Sequence, residues 1–125
     1  MLTELEKNAI SDHYRNISKN LPNFRPRPSQ RKMIAAIANA LSRTILREEG
    51  SDAPKREGES IAVIEGPTGV GKSLAYLLAG GIMAQARNKR LIVSSATVAL
   101  QEQLVNRDLP FVVAHSGLEI SFALA

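Results

Sequence analysis

Residues Gly66, Pro67, Thr68, Gly69, Val70, Gly71, Lys72 and Ser73 stand in the order G-x-x-x-x-G-K-S. That order of residue types suits the chemistry of holding phosphates. Glycines let several backbone N–H groups turn toward one anion without a Cβ in the way. A helix that follows such a loop adds its positive N-terminal dipole. The Lys72 ammonium is placed to meet the β- and γ-phosphates of a nucleotide, and the Ser73 hydroxyl to serve as a ligand of Mg²⁺. The plain alternative is an ordinary turn that happens to be rich in glycine.

The motif needs a strand before it and a helix after it. Ile61-Ala-Val-Ile64 is short, apolar and β-prone, and residues 74–87 carry Leu74, Leu77, Leu78 and Ile82 at helical spacing. The small Ala75, Ala79, Gly80 and Gly81 would let that helix lie close to its neighbours. Asn88-Lys89-Arg90 closes it, and Leu91-Ile92-Val93 reads as a second strand. Residues 97–107 read as a further helix, 109–115 as a short helical piece, and the alternating residues 119–125 as a third strand. Strand and helix in alternation imply a parallel sheet with right-handed crossovers.

Upstream, Thr3 and Glu6 fit a capping box. Leu5, Ile10, Tyr14, Ile17 and Leu21 then recur at helical spacing, so Tyr14 reads as a packing residue. Pro28 suits the first position of a second helix running to about Glu49, with Met33, Ile34, Ile37, Leu41 and Ile45 facing inward. Residues 50–60 (GSDAPKREGES) are polar and read as an exposed loop. The organisation expected is helices over 1–49, loop over 50–60, and the phosphate-binding unit over 61–125.

At 125 residues the chain makes at most one domain. A hydrophobic content of 44% supports a core, built from Ile, Leu, Val and Ala because aromatics are only 4%. There is no Cys, which excludes disulfides and thiolate-bound metals within the chain. No signal-peptide pattern and no membrane-length apolar run are present, so a cytoplasmic protein without membrane contact is expected. Net charge is +4, and residues 12–47 hold eight Lys or Arg against one acid. A one-sided basic block suits a polyanion such as nucleic acid, though a solvated helix face gives the same signal. His13 and His115 are isolated and read as surface or half-buried packing residues.

Three segments together resemble one family. Arg27-Pro-Ser-Gln30, upstream of the phosphate loop, resembles the adenine-sensing Q motif of superfamily 2 helicases. Glu65 with Gly66 to Ser73 is similar to their motif I. Ser94-Ser95-Ala96-Thr97, followed by Leu100-Gln101-Glu102-Gln103-Leu104, resembles their motif Ia. The combination resembles the N-terminal part of the DinG-type, XPD-like iron–sulfur DNA helicases, from about Tyr14 to the end of the chain. In the XPD-like branch an Arg usually stands where this chain has Ala96, a departure that suits the bacterial branch.

The resemblance implies an α/β fold: part of a RecA-like P-loop domain, a parallel sheet with flanking helices and an N-terminal helical pair. It implies ATP and Mg²⁺ as cofactors, single-stranded DNA as partner, a monomeric parent, and 5′ to 3′ unwinding in repair or replication. Arg27 and Gln30 would take the adenine, the loop amides and Lys72 the phosphates, Ser73 the metal, and Thr97 a DNA phosphate. Glutamine both donates and accepts, so Gln30 suits adenine N6 and N7 together. A plain helix-start role for Gln30 and a plain N-cap for Thr97 remain as alternatives.

After Lys72 the acids are Glu102, Asp108 and Glu119, none beside another. The paired carboxylates that hold Mg²⁺ and activate water for hydrolysis are therefore expected elsewhere. The family's iron–sulfur cluster also has no ligands in this chain. The expectation is an incomplete first motor domain, of low stability, inactive alone. A short non-enzymatic nucleotide-binding module is the rival reading. A small P-loop kinase is a third, but it leaves Gln30 and the SSAT segment without a role.

Overall fold

The structure is a computed structural model that describes residues 2–21, 24–43, 62–65 and 71–124. Its elements are helices α1 (Glu4–Asn20), α2 (Pro28–Ser42), α3 (Lys72–Ala86), α4 (Val98–Gln103) and α5 (Leu109–Ser116), with a π-helical turn, Leu104–Asp108, joining the last two. Residues 44–61, the predicted loop included, and five residues of the phosphate loop lie outside the described residues.

The parallel sheet expected from the sequence is not seen: among the described residues there is helix and no strand. Residues 62–65, 91–95 and 117–124 form no ladder. The α/β, RecA-like reading is therefore corrected to a helical assembly. A parallel ladder needs hydrogen-bonding neighbours and cover on both faces. Here Val63 is 95% exposed and Ile92 88% exposed, so those β-prone runs lack that cover. Their apolar, branched composition reports a need for burial, which is a weaker statement than pairing.

α3 is the centre. Ala75, Leu77, Leu78, Ala79, Ile82 and Met83 are all buried. α2 packs along it through Met33, Ile34 and Ala38, and α1 through Tyr14 and Ile17. Val112 of α5, Leu104 and Leu118 close the core. The two helical glycines allow close approach. A Cβ on Gly80 would sit 2.8 Å from Leu91 Cδ2, and one on Gly81 would sit 2.9 Å from Leu118 Cδ2. Helical glycine costs about 1 kcal/mol relative to alanine, and the close packing of two leucines offsets it.

The helix boundaries follow their caps. Thr3 and Glu6 form the predicted capping box, with Glu6 N donating to Thr3 Oγ1 at 3.1 Å and Thr3 N to Glu6 Oε1 at 2.9 Å. Leu5, however, is 82% exposed rather than part of the inward stripe. Glu6 takes the buried position because Arg87, at the end of α3, reaches it: Nε donates to Oε2 at 2.9 Å and Nη2 to Oε1 at 3.3 Å. Arg87 Nη1 also donates to the Ser42 carbonyl at 3.1 Å, so one guanidinium joins three helix ends.

The single helix expected over 97–107 is also corrected. α4 runs only to Gln103, and the Leu109 N–H reaches back to the Leu104 carbonyl, a five-residue step. Pro110 supplies the reason: it has no N–H for the carbonyl four residues before it, and its ring crowds that carbonyl. The C-terminus of α5 is held by α1. His13 Nδ1 (2.7 Å) and Asn16 Nδ2 (3.0 Å) donate to the Ser116 carbonyl, and Asn20 Nδ2 donates to the His115 carbonyl at 3.1 Å. His13 thus has a structural partner rather than a chemical one.

Candidate nucleotide-binding site

Gly71 is the N-cap of α3 and has φ +74°, in the left-handed region. Glycine enters that region without the Cβ penalty. Lys72 and Ser73 are therefore the first two residues of α3. The Gly71 carbonyl accepts from Ala75 N at 3.1 Å, the first bond of the helix. The N–H groups before Ala75 then have no partner within α3. Gly71 has no side chain with which to cap this end, and no acid stands in its first turn. Lys72 is exposed and Ser73 half-buried at this positive helix end. Glycine, helix-start amides, an ammonium and a hydroxyl make a set that fits a phosphate with its Mg²⁺. Gly66, Pro67, Thr68, Gly69 and Val70, assigned to the same phosphates, lie outside the described residues.

Gln30, in the first turn of α2, is brought to the same place. Its Nε2 donates to the Gly71 carbonyl at 3.3 Å, and its Oε1 accepts from the Tyr14 hydroxyl at 2.7 Å. It is only 4% exposed. A Cβ on Gly71 would collide with Gln30 Nε2, so glycine is required here for space as well as for its backbone angle. Residues 41 positions apart in the chain are thus joined by one hydrogen bond. Tyr14 stands edge-on to Phe24, with ring centroids 5.8 Å apart. Burial pushes the Tyr14 hydroxyl above its ordinary pKa, while the Arg27 backbone and the Arg31 charge oppose that shift.

Arg27 is the N-cap of α2, exposed, with no side-chain capping bond. Thr97 is the N-cap of α4 and accepts from Leu100 N at 3.2 Å, so its oxygen serves the helix first. Gln101 Nε2 donates to the Ser95 carbonyl at 3.5 Å. Thr97 belongs to an exposed segment. Glu102 and Glu119 are exposed and Asp108 half-buried, and among the described residues no three His, Cys, Asp or Glu gather as a metal site.

Sequence reasoning missed two of these relations. Tyr14 reads from its spacing as core, and nothing local tells that its hydroxyl holds Gln30. Glu6 reads as a cap, and nothing near it points to Arg87, 81 residues on. A polar atom on an inward helical stripe is the one signal that marks both, since a buried polar group needs a partner.

The chain is 42% identical over 125 residues to a protein of Photobacterium profundum named ATP-dependent DNA helicase DinG, covering 100% of this chain and 17% of that protein. It is 42% identical over 109 residues to the protein of the same name in Salmonella typhimurium, and 41% to that of Escherichia coli, covering 87% of this chain and 13% of each. The chain therefore spans less than a fifth of the length of these curated relatives. The model of the family described as type III restriction enzyme, res subunit, matches residues 23–117, a stretch that takes in the Gln30 segment, the phosphate loop and the Thr97 segment. The chain belongs to that family, and the relatives it matches along its length are DinG-type helicases.

Proposed function

We propose that this chain is the ATP-binding N-terminal part of an ATP-dependent DNA helicase of the DinG type, which couples ATP hydrolysis to movement along single-stranded DNA. The observation that carries it is the Gln30–Gly71 hydrogen bond. A residue suited to reading adenine is thereby tied to the residue that opens the phosphate-binding helix. Gln30 can present a donor to adenine N7 and an acceptor to the N6 amine. Its burial means that the cover over its amide must part when a base enters. The amides of Gly66 to Gly71 and the Lys72 ammonium hold the phosphates, and Ser73 supplies a hydroxyl to Mg²⁺. Arg27, exposed beside Gln30, steadies the base, and Thr97 meets a DNA phosphate. Magnesium, when bound with ATP, offsets charge on the β- and γ-phosphates. Unwinding from 5′ to 3′, a role in repair or replication, and a cytoplasmic location belong to the same reading. The chain itself cannot hold an iron–sulfur cluster, because it has no cysteine to ligate iron.

The test uses the protein in its native form, titrated with fluorescent ATP and GTP analogues in Mg²⁺. Lys72→Ala should abolish binding of both. Gln30→Ala should lower the preference for ATP over GTP about tenfold, with phosphate contacts retained. Equal affinity for ATP and GTP in the unmodified protein would refute the adenine assignment. Steady-state phosphate release from residues 1–125 alone would refute the incomplete-motor reading.

A further inference from the structure

Gln30 has four hydrogen-bonding capacities: two N–H groups and two lone pairs on Oε1. One N–H goes to the Gly71 carbonyl and one lone pair to the Tyr14 hydroxyl. What remains is one donor and one acceptor, the set adenine needs along its N7–N6 edge. The Gly71 carbonyl can only accept, so it demands Nε2, and the amide cannot turn over without setting Oε1 against it. The Tyr14 hydroxyl, at 2.7 Å, holds the other end of the amide.

From this geometry we infer that Tyr14 is a positioning residue for base selection: its hydroxyl fixes the Gln30 amide so that adenine is accepted and guanine refused. Guanine offers two acceptors on the same edge, O6 and N7. A fixed amide would set Oε1 against guanine O6. An amide released from Tyr14 can pivot about its bond to the Gly71 carbonyl, which moves Oε1 away from guanine O6 and turns the remaining N–H toward that edge. Tyr14 is well placed to do this through any opening around Gln30, because its ring is buried on α1 and braced by Phe24.

The inference rests on the reading of Gln30 as the base-sensing residue, and the experiment separates the two. Methylanthraniloyl-ATP and -GTP affinities are measured for the native protein and for Tyr14→Phe, Gln30→Ala and Phe24→Leu, each with its thermal melt. Tyr14→Phe keeps the ring and should lower the ATP-to-GTP affinity ratio about fivefold, the worth of one hydrogen bond. The change should come chiefly from tighter GTP binding. Phe24→Leu removes the ring contact but keeps the hydroxyl and should leave the ratio unchanged. A purely structural role for Tyr14 would weaken both nucleotides together and leave the ratio alone, which overturns the inference. A ratio changed by Gln30→Ala but not by Tyr14→Phe overturns it while sparing the adenine reading. If Phe24→Leu shifts the ratio as much as Tyr14→Phe, ring packing is responsible and the inference falls. If Gln30→Ala leaves the ratio unchanged, the adenine reading falls, and the inference with it.

Discussion

Two residues carry more than their positions in the chain suggest. Gly71 opens α3 by its left-handed backbone and leaves room for Gln30, as the proposed phosphate site requires. Glu6 serves the fold as the buried partner of Arg87, and that pairing has a pH signature. The Arg87 guanidinium holds the Glu6 carboxyl well below its ordinary 4.5, at about 2, against the opposing effect of burial. A carboxyl depressed in the folded state adds stability that is fully present above its unfolded pKa. That stability is lost as pH falls from about 4.5 toward 2. Thermal melts between about pH 5 and 2 should therefore show a steep fall. Glu6→Gln should flatten that fall and cost about 2 kcal/mol at neutral pH. A Glu6→Gln protein with unchanged melting at neutral pH would remove Glu6 from the joint between helix ends.

The helices are defined by how their ends are satisfied. α3 closes in a Schellman arrangement: Lys89 N–H donates to the Ala84 carbonyl at 2.8 Å and Asn88 N–H to the Gln85 carbonyl at 3.2 Å. Asn88 makes that turn at φ +53°, outside the comfortable range of most residues. Asn88→Gly should accordingly raise stability by about 0.5 kcal/mol, read as a higher urea midpoint at unchanged slope. A lower midpoint would mean that the asparagine side chain contributes something the backbone geometry does not explain. α5 presents the opposite case, since its last carbonyls depend on His13, Asn16 and Asn20 of α1. Helices at opposite ends of the sequence are thus tied by polar side chains as well as by the core.

The described residues bury a helical core around α3 and leave apolar segments in water. Val63 and Ile92 are almost fully exposed, and Leu91, Val93, Phe122 and Leu124 are partly so. Exposed apolar surface of this kind favours association. Prepared alone, residues 1–125 should sediment as a mixture whose mean mass rises with concentration in the tens of micromolar range. The double variant Val63→Lys, Ile92→Lys should shift that mixture toward the 13.6 kDa monomer. A chain that sediments as a single 13.6 kDa species at all concentrations would show that these side chains are harmless in water.

Local patterns in the sequence determined much of this protein. The capping box, the start of α2 at Pro28, the stripe of α3 and the turn at Asn88 all rest on interactions within four or five residues. Spacing alone conveys such interactions, because the chain itself fixes how near the partners are. The types and order of Gly66 to Ser73 are, for the same reason, what supports the phosphate-binding chemistry proposed for them. Three things needed the tertiary structure. The β-prone runs at 62–65 and 91–93 do not pair, since pairing depends on distant neighbours that composition does not report. Leu5 faces outward and Glu6 inward, because Arg87 arrives from 81 residues away. Tyr14, Gln30 and Gly71 form one hydrogen-bonded chain across three helices, and only the packing of α1 and α2 on α3 brings them within reach.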